Sequence, residues 1–230
     1  MSKHNLLDAM IAQTKRSKKQ TDKQQKIAET AIKLFAEKGY ANTSTSEIAK
    51  EAGVAEGTIF RHYGTKDNLL LSVLLPFLKD SLPAMAEEVF NELLTDQVIS
   101  FEDFLRALLK NRIAFVNENK EIFQIFVKEV LYSEGLKKEI LPYISENIFQ
   151  RIAKVVNHFK EREELVDLPT VTIQKLLFTL IGGFLLTRFV LIPDQDGTID
   201  EREIDQLVQF IMDGLRKKTK VNYRKNQIMD

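Results

Sequence analysis

The feature that most constrains this chain is the spacing between Ser44 and Tyr63. Two helix-length patterns stand there with only Gly53-Val54 between them. Ser44-Thr45-Ser46-Glu47 has the form of a capping box and opens a helix through Ala52, with Ile48 and Ala49 facing inward. A second short helix runs from about Ala55 to Tyr63, and Gly64-Thr65 breaks it. Two residues leave room only for a tight turn, so the two helices form a helix-turn-helix.

The flanking sequence is helical as well. Thr21-Asp22-Lys23-Gln24 is another capping box, followed by an amphipathic stripe at Ile27, Ala31, Leu34 and Phe35 that Gly39 stops. Thr65 caps a helix from Lys66 to Leu75, and Pro76 and Pro83 are expected to kink or break the chain beyond it. Further helices are expected from Ser100 to about Asn117, Lys120 to Ser133, Pro142 to Glu163, Thr170 to Ile192, and Thr198 to about Lys218, with a loop at 193–197. No segment alternates as a strand does, and no repeat is visible. The expected fold is all-α: an N-terminal three-helix helix-turn-helix domain, then an all-helical second domain. The expected boundaries are 1–20 for a flexible basic arm, 21–66 for the first domain, 67–220 for the second, and 221–230 for a tail.

Composition narrows the chemistry. The 230 residues contain no Cys and three His (His4, His62 and His158) that are far apart. Disulfides, thiolate nucleophiles and Cys-ligated metals are excluded, and no metal site or cofactor is expected. Nor is there a nucleophile elbow, a phosphate loop or an HExxH pair, so an enzyme is not expected. Lys and Arg total 33, as do Asp and Glu, yet the charge is uneven. Residues 1–66 hold 12 basic and 7 acidic residues, and the compensating acidic surplus lies beyond them. Six of those basic residues fall between Lys15 and Lys26. That run reads either as an arm that touches DNA or as a solubilising tail. Leu6–Ala12 is short, contains Asp8 and precedes the basic cluster, unlike a secretory signal, so a cytoplasmic location is expected.

Residues 39–70, GYANTSTSEIAKEAGVAEGTIFRHYGTKDNLL, closely resemble the DNA-binding domain of TetR-family transcriptional regulators. The resemblance is carried by Gly39-Tyr40, Thr43-Ser44, Ile48-Ala49, Ala52-Gly53-Val54, Gly57-Thr58-Ile59-Phe60, Tyr63 and Lys66. Ala49, Gly53, Val54 and Ile59 read as structural. Glu56, Gly57, Phe60 and Arg61 are left on the outer face near the start of the second helix of the motif. A recognition helix presents that part to base edges in the major groove, where Arg61 suits guanine and Phe60 a thymine methyl. Thr43, Thr58, His62, Tyr63 and Lys66 flank the face and are expected to hold phosphates. The resemblance implies the same roles. Two departures stand out. Ala55 occupies a position where the family often has a capping Ser or Thr, and Glu56 brings a carboxylate towards DNA.

Beyond residue 70 the helices carry more apolar residues than one face can bury. Thr170–Ile192 is the extreme. Lys175, Arg188 and Pro193 favour a helix buried on two faces over one that spans a membrane, so no membrane partner is expected. In TetR-family proteins the last two helices usually form a four-helix dimer interface. The resemblance therefore implies a homodimer through Ile173, Leu177, Leu180, Phe184, Leu207 and Ile211. Phe104, Phe115, Phe123, Phe126 and Phe184 read either as ordinary core or as the lining of an effector cavity. Arg112, Tyr132, His158 and Arg188 are its candidate polar anchors. The expected function is that of a repressor binding double-stranded DNA at a palindromic operator, released by a small, largely hydrophobic effector. The lever is expected to be the helix from Lys66, pivoting at Pro76. The alternative is a DNA-binding regulator answering to a protein partner or to no small molecule.

Overall fold

A computed structural model describes residues 6–7, 10, 22–93, 100–132, 134–192 and 201–217. The capping boxes expected at Thr21 and Thr198, the basic residues Lys15 to Lys19, the loop at 193–197 and the tail at 221–230 lie outside the described residues. Among the described ones the chain is all-α. Its only extended pairing is an isolated antiparallel bridge between Leu165 and Arg216.

The first domain is built from α1 (Asp22–Lys38), α2 (Thr45–Ala52) and α3 (Glu56–Tyr63). Ser44 caps α2, its side chain accepting from the Glu47 backbone N–H at 3.1 Å. The Glu47 carboxylate pairs with Lys38 instead of closing the box. Gly53, at φ 68°, ends α2 in a Schellman arrangement: its N–H donates to Lys50 O and that of Val54 to Ala49 O. A side chain at Gly53 would meet little but Lys26 Nζ, 3.6 Å from a built Cβ, so backbone conformation selects glycine there. Ile27, Ala31, Phe35, Ile48, Ala49 and Ile59 close this core, each at most 3% exposed.

The second domain starts with α4 (Lys66–Leu93). Its expected end at Pro76 is corrected: the helix passes through Pro76, and its segments Lys66–Asp80 and Pro83–Glu92 meet at 63°. Leu69, Leu70, Leu74 and Phe77 pack α4 around Pro76 into the first core, which holds that stretch straight. Next come α5 (Phe101–Glu118), closed at its start by a full Ser100–Asp103 capping box, and α6 (Lys120–Tyr132). The helix expected from Pro142 begins at Glu134. It runs as Glu134–Ile144, a π turn at Ser145–Phe149, and Gln150–Glu161, here together called α7. Pro142 lies inside it and shortly precedes the wide turn. A π turn is a usual way to absorb a break in the helix ladder. Helix α8 (Thr170–Leu186) continues into a π turn at Thr187–Leu191, and α9 (Glu201–Leu215) closes the described chain.

The interior divides into two clusters. The first joins α1–α3 to α4, α6 and the start of α7. The second joins α5, the end of α7, α8 and α9. Phe115 packs against both. Leu6 and Met10 are buried in the first cluster, and the Leu6 N–H donates to Asn119 Oδ1 at 2.8 Å. An arm free over all of 1–20 is thereby corrected. Its apolar residues are worth more in the core than in water, by roughly 1.5–3 kcal/mol for a fully buried side chain.

Candidate nucleic-acid interface

The outer surface of α3 follows from its length. Eight residues give two turns, and Ile59 is the one side chain of the helix that is fully buried. Phe60, Arg61 and His62 consequently face solvent, with Phe60 50% exposed. Arg61 makes no hydrogen bond or ion pair among the described residues. Gly57 is exposed, and a Cβ built there meets nothing within 4 Å. Nothing in the protein itself requires glycine at 57. Ala55 starts α3 without a side-chain cap, as its methyl group dictates. Glu56 accepts from Thr45 Oγ1 at 2.8 Å and sits in the first turn, where the helix dipole favours a carboxylate. Thr58 is half-buried.

Two expected phosphate contacts are corrected. Thr43 is 2% exposed, and its hydroxyl donates to Leu34 O at 3.2 Å and Gly39 O at 2.9 Å. That geometry stitches the connection between α1 and α2 and leaves the hydroxyl nothing to offer outside. The Lys66 ammonium lies 4.0 Å from the centre of the Tyr40 ring and donates to Tyr40 O at 2.8 Å and Thr43 O at 2.9 Å. It locks the start of α4 to the same loop. Tyr63 is part-buried against the first cluster, and burial raises its phenol above the ordinary value. Of the flanking group, His62 alone is fully open to solvent.

Behind this face lies a seam that the sequence did not announce. The Tyr40 N–H donates to Glu121 Oε2 of α6 at 2.7 Å, and its hydroxyl donates to Asp67. Lys128 of α6 reaches the other oxygen of Asp67 at 2.9 Å. Burial, then the hydrogen bond to Asp67, pushes the Tyr40 phenol far up. For Asp67, burial opposes ionisation, but the bonds from Tyr40 and Lys128 and the charges of Lys128 and Lys66 outweigh it. The carboxyl stays below its ordinary value. The far side of α6 is tied as well. Gln124 Nε2 donates to Phe189 O on the π turn after α8 at 2.7 Å, and Phe123 meets the Phe189 ring edge-on at 6.3 Å. Glu121 and Lys128 carry no local signal that marks them, because their partners are far away in sequence.

The effector-site expectations divide. Phe115, Phe123 and Phe184 are part-buried and pack at the edge of the second cluster. Phe104, 1% exposed between Phe90 and Phe101, is plain core. Phe126 packs on the first cluster, which Phe115 also touches. Tyr132 is 83% exposed and His158 is exposed beside Phe159, so neither points inward. Their positions on α6 and α7 fall on the outer stripes. Arg188 is buried, but Glu203 of α9 takes its guanidinium. Arg112 is part-buried on α5. A described cleft of about 310 Å³ lies elsewhere, lined by Asn68, Leu71, Ser72, Leu75, Glu129, Leu136 and Glu139 between α4, α6 and α7.

The dimer expectations shift by one face. Ile173, Leu177 and Ile211 are buried in the chain's own second cluster, and Leu180, Phe184 and Leu207 are part-buried against it. The apolar residues that remain exposed on these two helices and the π turn are Val171, Leu176, Phe178, Leu191, Ile192 and Phe210. α8 with its π turn, Thr170–Leu191, is long and apolar enough to cross a membrane by length and composition. Here it packs on α7 and α9.

Residues 27–73 match the family model of bacterial regulatory proteins of the tetR family. The regulator YerO of Bacillus subtilis, an HTH-type transcriptional regulator, is 32% identical over 134 residues, covering 52% of this chain and 46% of that protein. The chain spans about half the length of the relatives it matches in sequence. The fold is similar to that of the transcriptional regulator FadR from Bacillus subtilis in complex with stearoyl-CoA. That likeness has a TM-score of 0.53 and 18% identity over 82% of this chain and 97% of FadR. It is similar also to a transcriptional regulator from Saccharomonospora viridis in complex with choline. There the TM-score is 0.55, with 19% identity over 86% of this chain and all of the other.

Proposed function

We infer that this chain, a TetR-family transcriptional regulator by its DNA-binding domain, is a repressor that binds a palindromic operator as a homodimer and leaves it when a small, largely apolar effector binds. The observation that carries the DNA half of this reading is the face of α3: Phe60 and Arg61 stand free on it while Ile59 anchors it from beneath. Arg61 reads a guanine, Phe60 meets a thymine methyl, and the bare backbone at Gly57 lets the helix sit close to the groove. His62 and Thr58 hold phosphates. Lys66 and Thr43 serve this face from within by fixing the loop that carries α2.

The homodimer forms through the outer faces of α8 and α9, where Val171, Leu176, Phe178 and Phe210 remain exposed, since gathered apolar side chains of this size are what a partner surface covers. The effector enters between α5, α6, α7 and α8. The part-buried phenylalanines there support an apolar ligand, as does the likeness in fold to a regulator that holds stearoyl-CoA. An effector acts only through different affinity for the two states, and the seam is where that difference reaches DNA. α6 is bonded to the dimer helix on one side and to Tyr40 and Asp67 on the other. A shift of α6 therefore moves the loop before α2 together with the start of α4.

The test is binding of the purified protein to the fragment upstream of its own gene, read by fluorescence anisotropy. Affinity falls steeply with salt, with a slope of about −0.9 per phosphate neutralised. Arg61→Ala costs about 1–3 kcal/mol and relaxes one base position. Salt-independent binding, or none to any promoter fragment, sinks the reading.

A further inference from the structure

The corner between α5 and α6 is bonded to a segment 113 residues earlier in the chain. Asn119 ends α5 at φ −120° and ψ 29°, outside helical geometry, and the Phe123 N–H of α6 donates to its carbonyl at 2.9 Å. Its side chain is buried and bonded through both ends of the amide. Nδ2 donates to Phe115 O at 2.8 Å, and Oδ1 accepts from the Leu6 N–H at 2.8 Å. Leu6 and Met10 are helical and buried in the first cluster, to which Ile122 and Ile125 of α6 also belong. Two residues past Asn119, the Glu121 carboxylate takes the Tyr40 N–H at 2.7 Å. Two ties thus meet less than one helical turn apart: one from Leu6 to the corner, the other from α6 to the loop before α2.

Resting on the reading of a DNA-binding regulator, we propose that Leu6, Met10 and Asn119 are positioning residues for the DNA-binding face. The segment that carries Leu6 and Met10 fixes the start of α6, and Glu121 then holds Tyr40 and the loop before α2 in the arrangement that meets DNA. None of the three touches DNA itself. The buried Asn119 amide oxygen is costly to leave without its Leu6 donor. Burial of the Leu6 and Met10 side chains keeps that donor in place. Undocking removes the donor and the apolar cover together and loosens the start of α6. DNA binding must then order the loop before α2, a cost that a preorganised loop avoids.

The experiment is amide exchange of the full chain, read by mass spectrometry. Met10→Asp undocks the segment from one side, and Asn119→Ala removes the acceptor from the other. Both are expected to speed exchange about tenfold or more at Gly39–Thr43 and in the first turn of α6, while α8 and α9 exchange as in the wild type. Met10→Leu keeps an apolar side chain of similar volume and should leave exchange unchanged. The chain contains no Cys, so Met10→Cys supplies a single thiol whose labelling reports docking. It is expected to react far more slowly than the thiol of Tyr132→Cys, at an 83% exposed position, and to speed up when Asn119→Ala is added. Circular dichroism checks that the variants fold; if Met10→Asp does not, Asn119→Ala and the thiol decide. A rise in exchange spread evenly over the chain marks a merely structural role and overturns the proposal. So does a Gly39–Thr43 loop that neither variant moves, or a thiol at position 10 as reactive as the one at 132. Binding to the promoter fragment is measured separately, and Asn119→Ala is expected to weaken it about tenfold with the salt slope unchanged. A loosened loop with unchanged DNA affinity overturns the positioning role. A wild type that binds no promoter fragment sinks the DNA-binding reading and leaves the coupling of Leu6 to the loop standing.

Discussion

The two halves of the interior finish their surfaces differently. In the first domain short helices bury one stripe each, and Ile27, Phe35, Ile48 and Ile59 meet in a core that α4, α6 and the start of α7 complete. Polar ends are consumed locally: Thr43 by two carbonyls, Lys66 by two more, Ser44 and Thr65 by helix N–H groups. The single large apolar side chain left outside on α1–α3 is Phe60. In the second domain α8 is apolar on nearly all sides, and one chain supplies partners for only part of it. Ile173, Leu177 and Phe189 are covered, whereas Val171, Leu176, Phe178, Leu191 and Ile192 are not. A single exposed apolar residue such as Phe60 is ordinary on a protein surface and gains meaning only from its place on α3. Several exposed apolar side chains on one pair of helices are the pattern expected of a surface that a partner covers.

The largest effect tests whether the first region is closed. Phe35, 1% exposed beneath α1, is expected to cost about 3–5 kcal/mol when cut to alanine, read by urea unfolding. A loss below about 1 kcal/mol would mean that this core does not carry the domain. Next in size is the open region. Phe178→Glu combined with Phe210→Glu is expected to raise the dimer dissociation constant about 100-fold or more, near 3 kcal/mol, with helicity kept. Sedimentation of the wild type as a folded monomer at micromolar concentration would remove the contrast between the two regions.

The smallest effect concerns the seam between the regions. Asp67 has a folded pKa below its ordinary value, so its contribution is complete above the unfolded pKa and is lost as pH falls through the folded one. Wild type and Asp67→Asn should therefore differ in stability near neutrality and converge as pH drops below about 4. The loop at Gly39–Thr43 should also gain amide exchange in acid. Curves that stay parallel through that range would show that the Tyr40–Asp67–Lys128 bonds contribute nothing.

Local signals carried much of this fold. Ser44, Gly53 and Ser100 mark helix ends because a cap or a left-handed turn needs only neighbouring residues. The 3.6-residue period placed α1, α5 and α8 to within a few positions. The turn geometry around Gly53 left Phe60 and Arg61 outside, and the structure keeps them there. Prolines misled where packing overrode propensity. Pro76 and Pro142 lie inside helices that tertiary contacts hold together.

The helix-turn-helix, the all-α class and the two kinds of helix, one-faced and all-round apolar, were therefore legible residue by residue. They depend on interactions within a turn or two of chain. Which hydroxyls and ammonium groups were free to act was settled only by packing. Thr43 and Lys66 look like phosphate ligands until the loop they hold is folded around them. Tyr40 and Glu121 meet across 81 residues, and only the fold brings Glu203 of α9 to the buried Arg188. A side chain's charge is written in the sequence, but its partner is a matter of distance in space.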